Sequence, residues 1–241
     1  MTRYPRRATA IGGSCLLASL LALTAVVEAT PRPAVVELFT AEGCNSCPPA
    51  EAYIGELANR SDVLALAFHV DYWDALGWRD RYEWSGATAR QRKYGDVLRL
   101  RNVYTPQVIL DGRTDYVGSN RSVISQALQA PREGVPVTLA VDDGKIHVKL
   151  EASELGRGSD VVLVSYLRKA TSSISRGENA GRTLDEYNIV RSMSMLGHWD
   201  GSAREFSAGL GSLPRDATDV AVLVQARGQG AIVGAATLPL H

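Results

Sequence analysis

The stretch Val35-Val36-Glu37-Leu38-Phe39-Thr40 is apolar at all but two positions and too short for a helix, so it reads as a buried strand over 35–40. Pro48 suits a first helical position, where its missing N–H costs nothing. Beyond it Ala50, Tyr53, Ile54, Leu57 and Ala58 recur at helical spacing up to Asn59. A second apolar run of strand length covers 63–70. Ala87, Gln91, Tyr94 and Leu98 fall on one side of a helix predicted over 87–100. A strand over 107–110 then meets the turn Asp111-Gly112, a hairpin signal, with a return strand at 116–118. A last helix over 122–129 takes Ser119 or Asn120 as its cap. The predicted order is β-α-β-α-β-β-α.

After Pro131-Arg132-Glu133-Gly134 the pattern turns to strands. Runs at 135–141 and 145–151 flank Asp142-Asp143-Gly144, and further strands are predicted over 161–167, 184–195, 220–227 and 232–238. Alternation followed by a long run of strands predicts an α/β domain over 30–131 with an appended all-β, sandwich-like layer or domain over 135–241.

The first residues change how the cysteines are counted. Arg3, Arg6 and Arg7 precede an apolar run from Ile11 to Val27, and Val27-Glu28-Ala29 has the small-x-small pattern of a cleavage site. Residues 1–29 therefore read as an export signal, the alternative being a retained anchor helix for which the run is slightly short; the expected location is periplasmic or secreted, with no membrane attachment after cleavage. Cys15 would leave with the signal. Of three cysteines, Cys44 and Cys47 remain, which is not a disulfide scaffold. The fold must rest on a hydrophobic core. Lys and Arg number 26 and so do Asp and Glu; the first 29 residues hold three Arg and one Glu, which leaves a net charge of −2 on the rest. A nearly neutral chain gives no electrostatic case for nucleic acid.

The candidate chemistry lies in Glu42-Gly43-Cys44-Asn45-Ser46-Cys47-Pro48-Pro49. A C-x-x-C between a strand and a helix sets a thiol at a helix N-terminus, where unpaired N–H groups and the dipole favour thiolate. Cys44, ahead of the helix, is expected to be the more exposed sulfur and the nucleophile; Cys47 is expected to resolve the mixed disulfide. The alternatives are a structural disulfide in a binding module and a thiolate metal chaperone, as soft ligands suit Cu(I). Zinc wants four ligands, and His69, His147, His198 and His241 do not pair at ligand spacing. No organic cofactor is implied. The expected partners are a protein or small-molecule disulfide and a redox protein that recycles the pair.

Three further features bear on the site. Glu37 interrupts an apolar strand and is either a proton shuttle for Cys47 or a salt-bridged carboxylate. Eight of the sixteen aromatic residues lie between Phe68 and Tyr104. Of these, Tyr72 and Trp73 follow the second strand and should emerge beside the cysteines as a substrate wall, while Trp84 and Tyr94 read as packing. His69, within the strand, reads as a satisfied core histidine. Arg176 and Arg182, in a Gly- and Asn-rich connection, either hold a carboxylate, or fix the β part against the thiols, or belong to a solvated loop.

With Thr105-Pro106 before a strand about sixty positions after the cysteines, the arrangement resembles a thioredoxin-like fold. The resemblance implies a cis Pro106 lying against the cysteine pair, with Thr105 and Pro106 shaping a substrate groove. More closely, the chain resembles the exported bacterial family catalogued as domain of unknown function 1223. The matching stretches include Val36-Glu37-Leu38-Phe39-Thr40, Cys44 to Ala50, Phe68-His69-Val70-Asp71-Tyr72-Trp73-Asp74, Thr88-Ala89-Arg90-Gln91, Val103-Tyr104-Thr105-Pro106-Gln107 and Arg176-Gly177-Glu178-Asn179-Ala180-Gly181-Arg182-Thr183-Leu184. That family implies a thioredoxin-like domain with a β-rich part, and no settled activity.

Overall fold

The structure, a computed structural model, describes residues 1–2 and 30–240. The expected export signal, with Arg3, Arg6, Arg7 and Cys15, lies outside the described residues. Among the described residues no helix is long and apolar enough to cross a membrane.

The elements run β1 (Thr30–Pro31), β2 (Ala34–Thr40), α1 (Pro48–Leu57), β3 (Val63–His69), α2 (Ser85–Val97), β4 (Gln107–Leu110), β5 (Thr114–Val117), α3 (Arg121–Leu128) and β6 (Glu133–Gly134). Then follow β7 (Val137–Asp142), β8 (Lys145–Leu150), β9 (Ser159–Ser173), β10 (Thr183–Trp199), β11 (Arg204–Gly209), β12 (Asp219–Ala226) and β13 (Ile232–Pro239). The chain is a mixed α/β protein with few helices and one large sheet.

That sheet has eight strands in the order β13-β12-β9-β10-β3-β2-β4-β5. Every residue of β2 and β3 is buried, as expected of central strands covered on both faces. They pair in parallel from Ala34–Val63 to Thr40–His69. The other edge of β3 is met in parallel by β10 at Ile189–Ala67. Asn188 holds this junction: its backbone turns to φ 47°, and its Nδ2 donates to the Ala65 carbonyl at 2.8 Å. Strands from the α/β stretch and from the strand-rich stretch thus share one sheet.

Alternation along β2 and β3 divides the packing. Val36, Leu38 and Ala65 face α1 and α3 through Ile54, Leu57 and Ile124. Val35, Phe39, Leu66 and Phe68 face the other way, against Ala87 and Tyr94 of α2. A second sheet, β11-β8-β7, packs on β9 and β12 through Ile146, Val148 and Leu150, with the fully buried Trp199 between the layers.

The predicted α/β order is found, with ends shifted by a few residues. In the strand-rich part, β9 and β10 extend to 15 and 17 residues, well past their apolar runs, because each supplies the other's backbone partners from Ser159–Trp199 to Ser173–Thr183. Strand β11 was not predicted. Only Phe206 and Ala208 of its six residues are half-buried against the core, too few to mark a strand in the sequence, and pairing with β8 completes it. Asn120 is the cap of α3, its side chain accepting from Val123 N.

Candidate functional site

Strand β2 ends at Thr40, and a tight turn follows in which Cys44 N donates to the Ala41 carbonyl at 3.0 Å. Cys47 is the cap residue of α1, and Pro48 opens the helix. Cys44 and Cys47 form a disulfide with their Cα atoms 5.4 Å apart. The sulfurs are therefore at the carboxyl end of a central strand and the amino end of a helix.

The expected exposure of Cys44 is not found. Cys44 is 0 % exposed and Cys47 1 %. Both cysteines belong to a buried cluster on which Tyr72 and Trp73 pack, and residues 174–182, which join β9 to β10, are fastened to the backbone beside them. Asn179, buried within that connection, donates from Nδ2 to the carbonyls of Glu42 at 2.8 Å and Cys44 at 2.9 Å. Arg182 Nη1 in turn donates to Asn179 Oδ1 at 3.0 Å. Arg182 thus helps fix the β part over the cysteines, whereas Arg176 stays exposed. Of the two cysteines it is Cys47, not Cys44, that lines a cleft of about 400 Å³ bounded by Ala41, Glu42, Glu51 and the start of β10. The local sequence had no way of revealing this fastening, because its donor lies 135 residues away.

The other expected site residues gather nearby. The Thr105–Pro106 bond is cis. Gly118 is crowded by Pro106, Leu38 and Ala50, so the proline lies beside the first turn of α1. Trp73 Nε1 donates to Thr105 Oγ1 at 2.8 Å, and the Trp73 side chain lies over Gly43. Tyr72 donates to Gln91 Oε1 at 3.2 Å, and Gln91 Nε2 donates to the Tyr104 carbonyl at 2.7 Å. Tyr72, Trp73 and Thr105 are all half-buried. Tyr94 packs in the core as read from the sequence.

Glu37 is fully buried and its carboxylate is fully engaged. Oε1 takes Arg90 Nε at 2.6 Å and Oε2 takes the Tyr94 hydroxyl at 2.5 Å. Of its two readings, the geometry is that of the salt-bridged acid.

His69 is a correction of a different kind. Only one side of its ring is satisfied: Nδ1–H donates to Asp80 Oδ2 at 2.7 Å, while Nε2 has no hydrogen-bond partner among the described residues. Nε2 faces Glu51 Oε1 at 4.0 Å and Glu186 Oε1 at 3.9 Å. Burial opposes the charge on His69, but Asp80, Glu51 and Glu186 outweigh it and carry the ring up to about 10. Burial pushes the Glu51 carboxyl up, and pushes Glu186 up to about 8. Asp80 also accepts from Glu42 N and Tyr82 N, and these bonds with His69 hold it below the usual carboxylate range despite burial. The sequence reading missed Glu51, Asp80 and Glu186. Glu51 had a weak signal, a charged residue four positions after Cys47 on the helix that carries the site.

No curated protein matches the chain. It is similar to the X-ray crystal structure of an Agrobacterium tumefaciens protein, at 30 % identity and a TM-score of 0.78, covering 88 % of this chain and 96 % of that one. It is also similar to HBP35 of Porphyromonas gingivalis, at 14 % identity and a TM-score of 0.59, covering 87 % of this chain and 76 % of that one, a likeness of fold alone. The family described as "Protein of unknown function (DUF1223)" matches residues 35–225, and the chain belongs to that family.

Proposed function

We propose that this chain is an exported thiol–disulfide oxidoreductase of thioredoxin-like arrangement, periplasmic or secreted, whose Cys44–Cys47 pair exchanges when the 174–182 loop lifts. In this reading residues 30–131 carry the chemistry and the strand-rich part supplies that loop. Support comes from the strand–C-x-x-C–helix order and from the placement of Pro106 beside α1. The carrying observation is that the loop beside the cysteines is held to their turn through the one side chain of Asn179. Residues 175–178 and 180–182 are exposed, and of residues 174–182 only Ile174 and Asn179 are buried.

The exchange conserves two electrons and two protons. A thiolate of a reduced partner attacks one sulfur of the disulfide and displaces the other as thiolate. The partner's second thiolate then breaks the mixed disulfide, leaving the partner oxidised and Cys44 and Cys47 reduced. In the reverse direction the Cys44 thiolate attacks a partner disulfide and Cys47 resolves. Trp73, Tyr72, Thr105 and Pro106 form the wall a partner chain would meet, and Glu37 acts electrostatically rather than as a proton carrier. The N-terminus of α1 stabilises the thiolate set free.

Asn179→Ala tests this hold. It removes the two hydrogen bonds to the Glu42 and Cys44 carbonyls and the one from Arg182, each worth about 1 kcal/mol, so dithiothreitol should reduce the native disulfide roughly ten-fold faster or more. Cys47→Ala should then trap mixed disulfides with partners. Unchanged reduction in Asn179→Ala, with nothing trapped, would support the second reading, a binding module with a structural disulfide. That reading is favoured by one observation, the near-complete burial of both cysteines.

A further inference from the structure

Buried polar atoms without partners are few in folded proteins, and each needs a reason. In this chain they concentrate at one spot. Thr40 Oγ1, Glu42 Oε1, both carboxylate oxygens of Glu51 and His69 Nε2 all lack a partner within hydrogen-bond distance among the described residues; Thr40 and Glu51 lie near each other, a long contact that holds the Glu51 carboxyl down only in part. Glu51 is 5 % exposed and His69 0 %. Glu42, Glu51 and Glu186 border the cleft that also reaches Cys47, so the spot has an entry path.

We infer that Glu51, His69 and Glu186 form a binding site for one divalent transition-metal ion, of the zinc class, on the floor of this cleft.

The donor set is one imidazole nitrogen and two carboxylates, which suits zinc and its neighbours rather than soft Cu(I). The surroundings match those of metal-binding histidines. Such a histidine gives its other N–H to a carboxylate, which orients the ring and raises its basicity. His69 Nδ1–H does so to the buried Asp80 at 2.7 Å, which aims Nε2 at Glu51 and Glu186. Glu186 is oriented in turn by Ser172, whose hydroxyl donates to Oε2 at 2.6 Å and leaves Oε1 toward His69. Glu42 faces the same cleft but is held by Trp78 Nε1 at 2.6 Å and by Arg81 at 3.7 Å, so it is not counted among the ligands.

The donors are not gathered as tightly as a loaded site requires. Among the described residues no three such side chains already close on one point. The gaps of 3.9 and 4.0 Å from Nε2 exceed by about half an ångström the roughly 3.4 Å between two tetrahedral ligands bound at ~2.1 Å. Side-chain torsions of Glu51 and Glu186 can supply that contraction, and the cleft leaves room for water as a further ligand. An ion there would set a positive charge between the two buried carboxylates.

This inference does not depend on the redox reading, and its test separates the two. Zinc chloride is titrated calorimetrically into the full exported chain with its disulfide intact, so that cysteine thiolates cannot serve as ligands. One zinc per chain is expected, with a rise in melting temperature. Cys44→Ser/Cys47→Ser should bind as well as the parent. Glu51→Gln and Glu186→Gln keep side-chain size and relieve buried charge, so both should fold; each should weaken zinc by at least the ~10–100-fold that loss of an orienting partner costs. Asp80→Asn should weaken it within that range. No saturable one-to-one binding by the parent chain overturns the site, whatever the variants do. Equal binding by the parent and both Gln variants also overturns it, as does binding that disappears in the double Ser variant.

Discussion

At the scale of single residues, the decisive groups are buried charges whose partners lie far away in sequence. Glu37 sits among apolar neighbours in β2, and only Arg90, 53 residues on, and Tyr94 make it tolerable there. Arg90 also reaches Gln225 Oε1 at 3.1 Å and lies over the ring of Tyr94, tying α2 to β12. Removing one member of a buried pair leaves the other uncompensated, which typically costs about 3–5 kcal/mol. Arg90→Met should therefore lower stability by about that amount in urea unfolding. Adding Glu37→Leu should recover much of the loss. A loss under about 1 kcal/mol for Arg90→Met would remove the pair from any structural role. Glu37 was legible as an anomaly in its strand, but neither of its two roles was decided by its neighbours.

At the scale of elements, the apolar runs located β2, β3, β4 and the helices, because burial on one face or two leaves a period in the sequence. What that period omits is contact between elements. Helix α1 approaches β10 closely at Gly55, where an added Cβ would come within 2.6 Å of the Tyr187 ring. Gly55→Val should destabilise by about 1–3 kcal/mol through overpacking, read as a lowered midpoint in thermal unfolding. Equal or higher stability would mean that Tyr187 swings aside freely. The β9–β10 hairpin carries the same lesson. Its strands outrun their apolar cores, and that added length carries Asn179 to the cysteines.

At the scale of the whole molecule, the large sheet runs without a break from β13 to β5 through the β10–β3 contact. Apolar residues of β2, β3, α2, β9, β10, β12 and β13 belong to one core cluster. Calorimetry of residues 30–241 should accordingly show one cooperative unfolding transition, with calorimetric and van't Hoff enthalpies in agreement. Two resolved transitions would mean that the α/β stretch and the strand-rich stretch unfold as separate units. The eight-stranded order was not readable from the chain. Parallel pairing of β10 with β3 joins segments more than a hundred residues apart, and no local pattern records which edge a strand will choose.

By itself the sequence determined that β2 would be followed by a C-x-x-C and a helix, and that strands would dominate after residue 134. These are local consequences of apolar period, proline and turn chemistry. Tertiary structure alone decided that the cysteines are covered, that Asp80 orients His69 toward Glu51 and Glu186, and that both parts share one sheet. Burial and charge pairing are properties of what comes to lie nearby in space, and a linear pattern carries no record of those neighbours.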